Sequence, residues 1–150
     1  MNDAPILICY DGSADSDRAI EATAALLGPR RAVVVNVGPT LTNAESVAAI
    51  SSVVPGGAFE ELNLDSASEK ARAGAERARK AGFDAEPRAV LEEPFWQGIV
   101  DVADEIAASV IVIGSRGLTG IREQFEGSVS HEVAEHAGRP VLIVPPAHSR

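Results

Sequence analysis

Val110-Ile111-Val112-Ile113 runs directly into Gly114-Ser115-Arg116-Gly117, and nine residues later the chain reads Gly127-Ser128-Val129-Ser130. The apolar run is short enough for a buried strand, and the glycines after it allow the backbone to approach a ligand without side-chain collision. A glycine and two hydroxyls at the start of a following helix place free N–H groups and the positive end of a dipole where an anion can sit. The same residues also suit an ordinary N-cap, in which Ser128 or Ser130 bonds only its own helix and the glycines only turn the chain. The surrounding sequence has to separate the two.

Working outward, Pro5-Ile6-Leu7-Ile8-Cys9-Tyr10 is a near-continuous apolar run stopped by Asp11-Gly12-Ser13, which predicts a central strand buried on both faces. Ser16 to Leu27 repeats apolar residues at helical spacing, with Asp15 or Ser13 as N-cap and Gly28-Pro29 as the stop. Ala32 to Val37 predicts a second buried strand. Residues 38–63 are broken by proline and glycine and read as a mobile excursion beside the sheet. Ser66-Ala67-Ser68-Glu69 offers a capping box for a helix reaching Ala81, followed by a strand from Ala85 to Leu91. Pro94 sits where the first turn of a helix tolerates proline, and Phe95, Ile99, Val102, Ala103, Ile106 and Ala107 fall on one face of that helix. After the Gly114 to Gly127 loop come a helix from Ser128 to Ala137 and a last strand, Val141 to Val144. Strands alternating with helices of this length predict an α/β fold with a parallel sheet and helices on both faces, in a single domain over residues 1–150.

Composition agrees. At 150 residues the chain can bury roughly 68–70% of its unfolded surface. With 45% hydrophobic and only 4% aromatic residues, its core must be aliphatic. A net charge of −9 without a basic run argues against nucleic acid as partner. The lone Cys9 cannot form an internal disulfide, no apolar run reaches the ~20 residues of a bilayer span, and the start of the sequence has no signal-peptide pattern. These features predict a cytoplasmic protein without a membrane role.

In open α/β sheets ligands collect at the carboxyl ends of strands where the strand order reverses. Asp11-Gly12-Ser13 follows the first strand and Gly114-Ser115 the fourth, so if these strands are neighbours the two turns face one crevice. An acidic residue followed by glycine can bond a ribose hydroxyl or a base edge, and a glycine loop can approach phosphates.

The Gly-x-x-Gly, nine residues, Gly-Ser run, with Val129-Ser130 after it and Pro140-Val141-Leu142-Ile143-Val144 at the end, resembles the ATP-binding signature of the universal stress protein family. Ile8-Cys9-Tyr10-Asp11-Gly12-Ser13 is similar to that family's first strand and acidic turn, so the likeness covers nearly the whole chain. The resemblance implies a three-layer sandwich with strand order 3-2-1-4-5, a homodimer and a bound adenine nucleotide, ATP foremost. It implies Asp11 near adenine and ribose, Val37 lending its backbone to the base, and Cys9 beside the ribose. Ile113 and Gly114 would follow at the end of the fourth strand, with Gly114 against the ribose. Gly117 and Gly127 would bring N–H groups to the phosphates, and Ser128, Val129 and Ser130 would open the last helix, the two serines bonding phosphate oxygens.

The spacer departs from the pattern. Glu126 directly precedes Gly127, and Arg116 and Arg122 are balanced by Glu123 and Glu126, so the loop brings no net positive charge. A carboxylate beside a triphosphate is repulsive unless it points to water or helps hold a magnesium ion, and AMP or cyclic AMP then competes with ATP. Nothing in the sequence positions a general base, so ATP hydrolysis is expected to be slow or absent. The competing enzyme reading, ATP hydrolysis or adenylyl transfer in the same crevice, would have to use Glu123 or Glu126. His131, His136 and His148 make no metal set, since positions five apart diverge on a helix and His148 lies in the tail; solvated or capping roles are expected. Cys9 reads as a buried small hydrophobe, and Phe95 and Trp96 as anchors of their helix to the sheet or a partner. The apolar edge strand Val141 to Val144, ended by Pro145-Pro146, predicts pairing with a second copy.

Overall fold

Four consecutive apolar residues with no polar face, Ile6–Cys9, form β1, and all four are buried, as a strand covered on both sides requires. The structure, a computed structural model, describes residues 3–40, 58–115 and 128–146. Along the chain β1 is followed by α1 (Ala14–Leu27), β2 (Arg31–Gly38), α2 (Ala58–Lys80), β3 (Asp84–Leu91), α3 (Phe95–Ile106), β4 (Ile111–Gly114), α4 (Ser128–His136) and β5 (Val141–Val144). The strands form one sheet in the order β3-β2-β1-β4-β5, parallel throughout. Among the described residues no helix is long and apolar enough to cross a membrane.

Period-two alternation sends neighbouring strand residues into different layers. Ile6, Ile8, Tyr10, Val34 and Val112 pack with Ala19 and Ile20 of α1 and Ala75 and Ala78 of α2. Leu7, Cys9, Val35, Val37, Ile111 and Ile113 pack with Ile99, Val102 and Ala103 of α3 and Val129 and Val133 of α4. Helices thus cover both faces of the sheet, which is the three-layer arrangement expected from the sequence. Pro87 lies within β3, where it is tolerated because β3 is an edge strand and its missing N–H costs no ladder bond on the open side.

The helix ends follow local chemistry, with two corrections. Of the two candidate caps for α1, Ser13 is the one used: its hydroxyl accepts the Ser16 N–H at 3.1 Å, and Gly28 ends the helix at φ 74°. The capping box at Ser66–Glu69 is not a helix start. α2 begins at Ala58 and passes straight through those residues, carried by a stripe of small residues, Ala67, Ala71, Gly74, Ala75 and Ala78, that faces the sheet. Glu60 and Glu61 in its first turn and Arg77, Arg79 and Lys80 in its last complement the helix dipole. Residues 58–63 of the expected excursion are therefore helix, and 41–57 lie outside the described residues. The second correction is Ala107. It does not join the buried face of α3 but caps the helix in the left-handed conformation, φ 53° and ψ 50°, exposed to solvent. Pro94 takes the N-cap position just before Phe95.

Candidate functional site

The crevice follows from the strand order. β1 pairs with β2 on one side and β4 on the other, and chain direction across the sheet reverses between β1 and β4. The condition set by the sequence is met: the turn after β1 and the residues after β4 leave adjacent strand ends.

The first turn is held by its own groups. Asp11 Oδ1 accepts the Ser13 N–H at 2.9 Å, Gly12 adopts φ 85°, where a side chain would be strained, and Ser13 in turn caps α1. Tyr10 N–H donates to the Val35 carbonyl at 2.9 Å, which ties the start of the turn to β2. On the other strand, Gly114 ends β4 against the first turn of α1. A Cβ built there would lie 3.8 Å from the Asp15 carbonyl oxygen, an ordinary contact, so the two turns meet across the reversal point. Ser115 N–H donates to the Val144 carbonyl at 2.9 Å and ties the exit of β4 to β5.

Beneath these turns the candidate residues are floor rather than wall. Cys9 and Ile113 are buried in the α3/α4 layer, and Val129, in the first turn of α4, packs with them. Burial, with the Asp11 carboxylate adding to it, pushes the Cys9 thiol well above its ordinary range, so the sulfur is a neutral packing atom. Val37 is buried at the end of β2, where Gly98 of α3 lies close enough that a Cβ would stand 3.0 Å from Val37 Cγ1. Ser130 is buried one turn into α4. Gly117 and Gly127, with Arg116, Arg122, Glu123 and Glu126, lie outside the described residues, as does the side chain of Ser128. His148 lies outside them too.

The chain's relationships agree with this geometry. Residues 4–145 match the profile of the Universal stress protein family. The chain belongs to that family. It is 33% identical over 149 residues to universal stress protein YxiE of Bacillus subtilis, covering 93% of this chain and 97% of that one. A universal stress protein of Archaeoglobus fulgidus solved in complex with dAMP is 27% identical, with a TM-score of 0.65 over 96% of this chain and 99% of the other. Another universal stress protein, solved in complex with cAMP, is also 27% identical, with a TM-score of 0.61 over 97% and 98%.

Within this universal stress protein, sequence reasoning missed Asn36. Its side chain is buried, and Nδ2 donates to the Tyr10 carbonyl at 2.8 Å, fixing the end of β2 to the residue that opens the Asp11 turn. The available signal was an amide inside the valine run of β2, where a buried polar group has to find a partner. Also missed was the tie on the other face of Tyr10. Its hydroxyl donates to Asp17 Oδ1 at 2.6 Å, and Arg77 Nε of α2 approaches the same oxygen at 2.9 Å. A cavity of about 490 Å³ opens beside this group between α1 and α2, rimmed by Glu21, Glu76, Arg77 and Lys80. Its charges balance and the Tyr10 hydroxyl is already bonded to Asp17.

Proposed function

We propose that this universal stress protein binds an adenine nucleotide, ATP, in the crevice at the carboxyl ends of β1 and β4, and acts in the stress response by binding rather than turnover. The observation that carries the reading is the pairing of β1 with β4, which sets the Asp11 turn beside Gly114 while α4 begins over the same floor. On this reading Asp11 takes the ribose and base, Val37 lends its backbone to the base, and Gly114 lies against the ribose. Gly117 and Gly127 present N–H groups to the phosphates, and Ser128 and Ser130 add hydroxyls there. The protein works in the cytoplasm as a dimer paired through β5, an apolar edge on which Ile143 is 42% exposed.

A second reading, AMP or cyclic AMP as the physiological nucleotide, draws on the balanced charges of residues 116–126 and on the cAMP and dAMP complexes of relatives. The test starts with the protein as purified, denatured so that any retained nucleotide can be identified by chromatography. Calorimetry with ATP, with and without Mg2+, and with AMP and cyclic AMP follows. ATP is expected to bind at one site per chain, more weakly in Asp11→Ala and in Ser128→Ala/Ser130→Ala. Tighter binding of AMP or cyclic AMP would decide for the second reading. Multiple-turnover ATP hydrolysis abolished by Glu126→Ala would make the protein an enzyme. A protein that is purified empty and gives no heat with any of the three overturns both binding readings.

A further inference from the structure

β2 outruns β1 at the crevice. Their ladder ends on the pair Cys9–Val35, whereas β2 continues through Asn36 and Val37 to Gly38 with β3 as its strand partner. The last bond across the boundary with β1 runs from the Tyr10 N–H to the Val35 carbonyl at 2.9 Å. In a regular parallel pair the next rung would bring the Val37 N–H to the Tyr10 carbonyl. Tyr10 has left the sheet there, and its carbonyl is taken by a side chain instead, Asn36 Nδ2 at 2.8 Å.

Peptide groups alternate in direction along a strand, so Val37 turns its N–H and C=O to the same side as Val35, toward β1. Gly38 between them and β3 turns the other way, and its carbonyl accepts the Glu92 N–H at 3.1 Å. On the Val37 side β1 has already ended. Among the described residues no backbone group pairs with Val37 across that gap, although the residue is only 4% exposed. Buried backbone donors and acceptors are almost always paired. These two stand at the strand end beside the Asp11 turn, where a ligand in the crevice can supply the partner.

We infer that Asn36 is a positioning residue: by holding the Tyr10 carbonyl it keeps the N–H and C=O of Val37 out of the ladder and open to the crevice, where the pair reads the edge of the base. The base-reading role rests on the nucleotide site proposed above, while the freeing of Val37 rests on the strand end alone. Adenine offers an amino donor beside a ring-nitrogen acceptor, the complement of one C=O and one N–H. Hypoxanthine, the base of inosine triphosphate, has an oxo acceptor in place of that amino donor. A site built to bond the amino group should reject it.

Both halves can be tested on the full chain. Amide hydrogen exchange without nucleotide should show Val37 exchanging faster than Val35 in wild type. In Asn36→Leu the Val37 N–H closes on the released Tyr10 carbonyl and should slow about tenfold, the worth of one hydrogen bond. Calorimetry with ATP and inosine triphosphate reads the other half. Wild type should prefer ATP, and Asn36→Leu and the isosteric Asn36→Asp, which both lack the donor, should lose about tenfold in ATP affinity and much less in inosine triphosphate affinity. Ile20→Val, a buried change in α1 of similar cost to stability, should leave the ratio of the two affinities unchanged. A Val37 amide as protected as Val35 in wild type, or unmoved in Asn36→Leu, would overturn the assignment whatever binds. An ATP preference that both Asn36 variants retain would overturn base reading through Val37. Heat from neither nucleotide in wild type, with the amide pattern as expected, would instead remove the nucleotide reading and keep Asn36 as the residue that frees Val37.

Discussion

The two faces of the sheet bury similar aliphatic side chains but are joined to their helices differently. On the α3/α4 face aliphatic side chains from Leu7 and Cys9 to Val133 make the contact, and the Trp96–His136 stack joins the two helices to each other. On the α1/α2 face Tyr10 carries a hydroxyl into the interface, and Asp17 of α1 and Arg77 of α2 are bound around it. Both faces admit a helix at close range through one glycine, Gly74 of α2 over Tyr10 and Gly98 of α3 over Val37. The difference shows how the crevice is fixed. Its α1 side is positioned by directional bonds that begin at Tyr10, the residue before the Asp11 turn, while Val129 and Val133 seat α4 on the sheet by aliphatic packing.

The largest effect should come from closing the glycine contacts. A Cβ at Gly74 would stand 2.6 Å from Tyr10 Cγ and Cδ2 and 2.8 Å from Val34 Cγ1, atoms near the root of side chains that cannot swing aside. Gly74→Ala should carry the full overpacking cost of about 1–3 kcal/mol, reduced by up to about 1 kcal/mol of helix propensity. Gly98→Ala meets Val37 Cγ1 and Glu92 Cβ at 3.0 Å, where a shift of a few tenths of an ångström suffices, so propensity and crowding nearly cancel. Urea unfolding of both variants measures the contrast. Equal losses would mean that the two faces pack alike.

The next effect separates the faces by chemistry. Burial first, then the hydrogen bond to Asp17 and that carboxylate's charge, push the Tyr10 phenol up to about 12, against about 10 for an unfolded tyrosine. A raised pKa favours the protonated folded state, so this contribution is complete below about pH 10 and is lost as pH rises to about 12. Tyr10→Phe should cost about 1 kcal/mol at neutral pH, the value of one hydrogen bond. The gap to wild type should then shrink across that alkaline window. A gap that stays constant to pH 12 would show that the hydroxyl contributes nothing through its proton.

Much of this was legible in the sequence, and what was not has local reasons. β1 and β4 announced themselves because strands buried on both faces have no polar positions to confuse the period. The start of α2 did not, because alanine and glycine make its buried stripe and Ser66–Glu69 imitates a helix start. Ala107 was misplaced because periodicity assigns a face but cannot say where the last turn unwinds. At the site, the Asp11 turn could be read from the residues that stop the first apolar run, and the reversal point from the strand order that the family resemblance implies. The ties of Asn36 to the Tyr10 carbonyl and of Tyr10 to Asp17 and Arg77 could not, since a single sequence does not say which distant side chain a buried polar group meets.

The smallest effect tests whether the α1/α2 ties act as one unit. Arg77 is half-exposed, and its ion pairs with Asp17 at 2.9 Å and Glu21 at 3.3 Å lie at the surface. Arg77→Ala should therefore cost about 0–1 kcal/mol, and less still at ~1 M salt, where the Debye length falls to about 3 Å. The informative quantity is the coupling to Tyr10→Phe. Asp17 Oδ1 accepts from both the Tyr10 hydroxyl and Arg77 Nε, so each donor holds the carboxylate in the place where the other needs it. A double-mutant cycle should give a non-additive term of about 0.5 kcal/mol or more, with the second loss smaller than the first. Strict additivity would mean that Asp17 is held by its own helix and that the directional character of this face rests on Tyr10 alone.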